Sequence, residues 1–319
     1  MKSTMLKGFS QFLTTAFGIF MIGALPYLFF DNMEAAKINI KLLRTGVIKD
    51  TSFLGGFDGG FYIGSYFSHI VASVTEIIHP ANLTYFSLAG PVPIFPKILD
   101  AYLYSMEIFI VGLCGGLFAA LMLTYFLMLA GRRVRKTAQS FLYFIESLPD
   151  IFVILLLQTL IVWIYDSTGI LFFDIISVEF NRAYGLPMLC LAVIPMVFLS
   201  KYLMVVFEEE EAQRYVELAR GMGLAKSTII LVNMFRNVLI SLFLQSKTMF
   251  WVALSNLLVL EIIFGMHGLF RFIWKHAPMN PEIMTVGMLM IFIPYFILFT
   301  TGQFLLERKG AVQLDSEIV

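Results

Sequence analysis

Charge is scarce in this chain. Only 14% of its 319 residues are Asp, Glu, Lys or Arg, where a soluble globular domain carries about a quarter. The shortfall excludes an ordinary soluble domain. Net formal charge is +0, so whole-chain charge points to no nucleic-acid or membrane-surface partner and only its local distribution informs. Cysteine is nearly absent: Cys114 and Cys190 both sit in apolar runs, where a thiol behaves as a small hydrophobe and no disulfide framework can be read. Four histidines, His69, His79, His267 and His276, carry no H-E-x-x-H or other ligand spacing. They read as loop residues of one face of the molecule, and no metal site is expected. The chain also lacks a G-x-S-x-G nucleophile elbow.

What is present is apolar. Hydrophobic residues make up 59% and aromatics 15%, the composition of an all-α integral membrane protein. A spanning helix needs about 20 apolar residues, and runs of that kind occupy 9–30, 107–130, 141–165, 186–206, 237–264 and 284–306. The first exceeds a signal-peptide core and has no small-residue cleavage pattern after it, so it reads as a retained span. Six spans put both termini on one side. Lys2 and Lys7, the cluster Arg132, Arg133, Arg135 and Lys136, the group Arg214, Arg220, Lys226 and Arg236, and Arg308 with Lys309 all fall on one face, which the positive-inside rule makes cytoplasmic. The opposite face carries Asp166, Asp174 and Glu179 against a single Arg182, and the long segment 31–106 with its Gly-rich F53-L-G-G-F-D-G-G-F-Y62 and Pro-rich P91-V-P-I-F-P96. That segment reads equally as a folded cap or a loop. The N82-L-T84 sequon matters only in a glycosylating host.

One stretch interrupts the apolar text: Y215-V-E-L-A-R-G-M-G-L-A-K-S-T-I-I230. It approaches G-x-x-x-x-G-K-[ST], but Arg220 and Ala225 stand at the two glycine positions, so the backbone cannot cradle phosphates. The chain is not expected to hydrolyse nucleotide, and no cofactor is expected on it. Glu208 to Arg220 reads instead as an amphipathic helix with Ala212, Tyr215, Val216 and Ala219 on one face. Gly221 and Gly223 stop it, and Ser227 or Thr228 is placed to cap the next helix. The product is a helix-turn-helix on the cytoplasmic face. A solvated loop is the plain alternative; the acid run Glu208 to Glu211 argues against docking on anionic lipid and favours a protein partner.

E217-L-A-R-G-M-G223 resembles the E-A-A-x-x-x-G loop of permease subunits of binding-protein-dependent ABC importers, with Glu217, Ala219 and Gly223 in register. The continuation to Arg236-Asn237, the stretch S147-L-P-D-I-F-V153 and the run L258-V-L-E-I-I-F-G-M-H-G-L-F270 are similar, in order and spacing, to segments of the oligopeptide and dipeptide permease group. Leu218, Ser241 and Met266-His267 depart from the group's residues, which bears on substrate more than on mechanism. The resemblance implies a type I permease core over 107–306 with a coupling loop at about 207–235, after an N-terminal span 1–30 and the external segment 31–106, and before a tail 307–319. It implies that Glu217, Ala219, Arg220 and Gly223 contact a cytoplasmic ATPase, that a second permease subunit completes the pore as a heterodimer, and that an extracytoplasmic binding protein delivers a solute, most simply a peptide, across a bacterial plasma membrane.

Two charges fall inside spans. Lys247 lies about eleven residues, hence about 16 Å, beyond Arg236, and Asp150 lies on the third run at comparable depth. A charge at that depth faces a cavity or a partner, so both are expected to line the pore, where they can pair. Glu146, one turn before Asp150, is expected to reach headgroup water. The competing reading, a membrane-embedded enzyme using these carboxylates or the histidines, needs them gathered in one pocket; the topology puts the histidines on the other face. A secondary transporter would show an inverted repeat, and none is visible.

Overall fold

The computed structural model describes residues 2–29, 38, 42, 60–78, 83–87, 90–178, 180–278 and 280–308. The Gly-rich stretch up to 59, His79, Asn82 of the sequon, Glu179 and the tail from 309 lie outside the described residues. The fold is that of an all-α integral membrane protein. Five helices are long and apolar enough to cross a membrane, and Gly8–Ala24 is a further, shorter apolar helix. The chain divides into two units, Met1–Leu103 with Gly268–Leu305, and Tyr104–His267 with Leu306–Val319.

In the first unit, α1 (Lys2–Ala24) and the short α2 (Pro26–Phe29) pack on α3 (Ile63–Ile78). Ala24, Tyr66 and Ile70 are buried together against Phe20 and Leu28. The run expected to cross as one helix from 9 to 30 is interrupted before Pro26, whose ring cannot continue the ladder. A two-stranded antiparallel hairpin follows, β1 (Thr84–Ser87) on β2 (Gly90–Pro93), in the register Tyr85↔Val92. Its Tyr85 ring meets Phe272 of α10 (Leu269–His276) edge-on at 5.6 Å. The last helix, α11 (Glu282–Arg308), receives a 2.7 Å bond from the Tyr27 hydroxyl at Glu282 and stacks Phe292 on Phe12 at 5.5 Å.

The second unit holds the rest of α4 (Lys97–Leu129), then α5 (Arg132–Glu146), α6 (Asp150–Thr168), α7 (Gly185–Glu211), α8 (Arg214–Gly221) and α9 (Lys226–Ile263). Here the sequence expectation of one span over 141–165 is corrected. Pro149 ends the ladder, Ser147 Oγ bonds back to the Phe144 carbonyl at 2.6 Å, and α6 starts at Asp150. Residues 132–146 form a separate amphipathic helix whose Leu142, with Ala138 and Ile145 beside it, packs on Leu127, Val197 and Met204. The helix expected over 208–220 is likewise two helices: α7 runs on through Glu211, and the break falls at Ala212–Gln213.

Close approach of α4 and α7 depends on missing side chains. A Cβ at Gly116 would sit 2.5 Å from the Ala192 carbonyl oxygen, and one at Gly112 would sit 2.9 Å from Leu191. This is the small-xxx-small spacing that lets membrane helices touch through their backbones. The helix α9 contains a π-helical turn at Ile229–Met234. Glu261 of α9, within the run compared above with the permease group, is fully buried and accepts a 2.6 Å bond from Ser105 Oγ of α4.

Candidate functional site

The geometry around α8 follows from three local devices. Arg214 to Gly221 has one apolar face, and Val216 and Ala219 bury it almost completely, against Phe207, Ile229 and Met234. Gly223, at φ +78, then supplies the left-handed turn. Its N–H bonds to the Arg220 carbonyl at 2.9 Å, and the Leu224 N–H reaches the Ala219 carbonyl at 3.2 Å. This pair of bonds is the Schellman ending of a helix, which favours glycine because a Cβ is strained in that conformation. The next helix opens at Lys226 from Ala225, with no side-chain cap; the expected capping by Ser227 or Thr228 does not occur, because both lie inside the first turn.

The opposite side of α8 is not apolar in the same way. Leu218 and Met222 are each 65% exposed, an i, i+4 pair flanked by the exposed Glu217 and Arg220.

Charge fixes how α8 is held. Arg135 of α5 is buried; its Nη1 donates to Glu211 Oε2 at 2.8 Å and its Nη2 to the Met128 carbonyl at 3.0 Å. Arg220 Nη2 donates to the other oxygen of Glu211 at 2.7 Å. One carboxylate thus ties α5, α7 and α8, and through Arg135 the end of α4. Lys226 Nζ bonds the Leu129 carbonyl at 3.4 Å. A cavity of about 360 Å³ lies beneath, with Glu211, Arg220 and Lys226 on its polar wall and Met128, Leu224 and Met234 among its apolar lining. On the far side of the turn the Tyr215 hydroxyl donates to Glu210, and Asn237 Nδ2 donates to the same carboxylate at 3.1 Å. Burial and this bond to Glu210 push the Tyr215 phenol up to about 12.

Higher in the unit, contacts on α7 give a common ruler. Lys201 pairs with Glu146, and the Tyr202 hydroxyl bonds the Ser241 carbonyl of α9 at 3.4 Å. Lys247 lies six residues, about 9 Å, beyond Ser241 along α9, whereas Asp150 is the first residue of α6, after the break at Pro149. Asp150 is exposed and Lys247 half-buried, and among the described residues no ion pair joins them. Glu146 is exposed and pairs with Lys201. Sequence reasoning missed Lys201 altogether, read Glu211 only as part of an acid run and treated Arg135 only as loop charge. Arg135 was legible: it shares the i, i+3, i+7 stripe with Ala138 and Leu142, so an amphipathic reading of 132–146 turns it inward.

Residues 112–309, more than half of the chain, match the family model described as binding-protein-dependent transport system inner membrane component. The chain belongs to that family. It is the permease subunit of an ABC importer, a multi-pass membrane protein and a transport subunit rather than an enzyme. Membership implies an ATPase and a substrate-binding protein as partners of this permease. No curated protein matches the chain.

Proposed function

We propose that this permease imports a peptide and that α8 is its coupling helix, with Glu217 and Arg220 in the ATPase contact and with Ala219, only 1% exposed, and Gly223 shaping that contact from within rather than touching the partner. The observation that carries this reading is the exposure of Leu218 and Met222, 65% each, in a short charged helix whose other face is already buried. Two exposed apolar side chains one turn apart on a rigid projection are what an apolar cleft on another protein takes. Ala219 packs the helix down and Gly223 sets its exit angle. Glu217 and Arg220 supply the polar rim.

The peptide assignment rests on the four segments similar to the oligopeptide and dipeptide permease group. On the same reading the pore is completed by a different permease chain, the membrane is the bacterial plasma membrane, and both termini are cytoplasmic because in the sequence the basic residues gather before the first apolar run, in the links that include 132–136 and 214–236, and after the last run. The chain carries no cofactor of its own. Lys247 faces the translocation path, since a charge at its depth facing lipid costs at least about 2.5 kcal/mol; Asp150, the first residue of α6, lines the same path nearer its end. Alternating access then follows from ATPase closure shifting the population between two arrangements of the spans.

The test is co-purification from native membrane of tagged wild type and Gly223→Trp, with partners identified by mass spectrometry. An ABC ATPase recovered with wild type and lost with the variant is the expected result. Recovery of no ATPase with wild type, or equal recovery with both, sinks the coupling reading.

A further inference from the structure

Arg135 and Glu211 lie 76 residues apart in sequence, on helices that no short link connects. The α8 helix is joined by chain only to α7, through Ala212–Gln213, and to α9, through the Gly223 turn. Motion imposed on α8 therefore reaches α7 and α9 along the backbone, but it reaches α4 and α5 only through side chains.

That route includes the apolar cluster shared by Met128, Val216 and Ala219 and the Lys226–Leu129 bond; its charged part runs through Glu211. Glu211 spends one oxygen on Arg135, at 2.8 Å, and the other on Arg220, at 2.7 Å. Arg135 passes the connection to α4 through the Met128 carbonyl. Its side chain is only 8% exposed, against 50% for Arg220. The buried end is costly to break, because an arginine left without its carboxylate stays desolvated. The exposed end is screened and weak by itself. Glu208 lies 4.0 Å from the same guanidinium, too far to replace Glu211 in a short bond.

We propose that Glu211 is a positioning residue for transport: it locks α8 to α5 and α4, so that these helices follow the coupling helix as one body when the ATPase closes. The proposal rests on the coupling reading of α8 and adds the path by which displacement reaches helices outside the α7–α8–α9 chain. Glu211 touches no substrate and hydrolyses nothing. It decides which part of the permease moves.

The full permease assembled with its second subunit and ATPase tests this. Spin labels on Arg133→Cys of α5 and Arg214→Cys of α8, both exposed, are introduced after Cys114→Ser and Cys190→Ala, and their separation is measured by double electron–electron resonance. With Glu211 intact, the separation without nucleotide and with ATP plus vanadate agrees within about 2 Å, the scale of small helix shifts. With Glu211→Gln, the nucleotide-free separation is unchanged, and ATP plus vanadate drives the labels apart beyond that limit. Glu211→Asp restores the wild-type behaviour. Equal separations in Glu211→Gln with and without nucleotide overturn the lock, and so does a distribution already broadened before nucleotide, which marks a purely structural role. Absence of the ATPase from the wild-type assembly is a different failure, that of the coupling reading itself.

Discussion

Lys201 of α7 donates to Glu146 of α5, and its ammonium lies 3.8 Å from the centroid of the Tyr143 ring. This pair stands about ten residues, roughly 15 Å, above the Arg135–Glu211 pair along α7. Charges therefore pin α5 to α7 at both ends, with Leu142 between them.

Removing one partner of the upper pair leaves the other without a counter-charge. Glu146→Gln is expected to lower stability by no more than about 1 kcal/mol, because Glu146 is 37% exposed and the pair is only partly shielded. The double variant Glu146→Gln with Lys201→Met is expected to recover most of it. Thermal unfolding in detergent of wild type, single and double variants checks this; a double variant no more stable than the single refutes it.

The α4–α7 contact separates two adjacent glycines. A Cβ at Gly116 meets the Ala192 carbonyl oxygen at 2.5 Å, while one at Gly115 meets only the Ala192 Cβ, at 3.9 Å. Gly116→Ala should cost about 1–3 kcal/mol through forced backbone separation. Gly115→Ala should be neutral or slightly stabilising. Melting temperatures of the two variants should move in clearly different amounts.

At Gly223 nothing lies within 4 Å of an added Cβ, so any effect of substitution is conformational. Gly223→Val should destabilise by about 1–2 kcal/mol, and Gly223→Asn by less, since Asn tolerates the left-handed region. Gly169, at φ +72 and equally open, is the matched control: Gly169→Val should lower stability similarly while leaving ATPase recovery unchanged. Loss of ATPase with both variants would show that recovery tracks stability alone.

The Tyr215 phenol fixes a pH expectation. Its folded value, about 12, is raised above the ordinary 10.0, so the neutral form is favoured by folding. The contribution is fully present below pH 10 and is lost as pH rises through about 12. Stability should be insensitive to this group from pH 6 to 9 and should fall between about pH 10 and 12, and Tyr215→Phe should flatten that fall. An equally steep loss in the variant would assign the titration elsewhere.

If Lys247 and Asp150 share the translocation path, neutralising either one should reduce uptake of a labelled peptide, and exchanging them should restore part of it. Exchange that transports no better than the single variants removes the pairing. Full uptake by both single variants would remove the path assignment as well.

The spans were legible because twenty consecutive apolar residues leave few alternatives in lipid. The breaks inside them were less so. Pro149 was in view, yet the apolar letters on both sides masked the change from an amphipathic helix to a spanning one. The two-residue interruption at Ala212–Gln213 carries no glycine or proline signal at all. Within the site, Gly223 was legible from its spacing after Ala219, because helix endings are local. Glu211 was not, because its partners come from α5 and α8, and charge pairing across 76 residues leaves no periodic trace in one sequence.

The π-turn at Ile229–Met234 amounts to one residue inserted into an otherwise regular helix. Deleting a single residue there would convert the turn to α-helix and leave the facing of both flanks intact. A deletion elsewhere in α9 would rotate everything beyond it by about 100°, turning Leu257 and Glu261, both fully buried, out of the bundle. Descendants of this gene can therefore gain or lose a residue inside 229–234 without rewriting the rest of the helix, and length variation in this span should concentrate there.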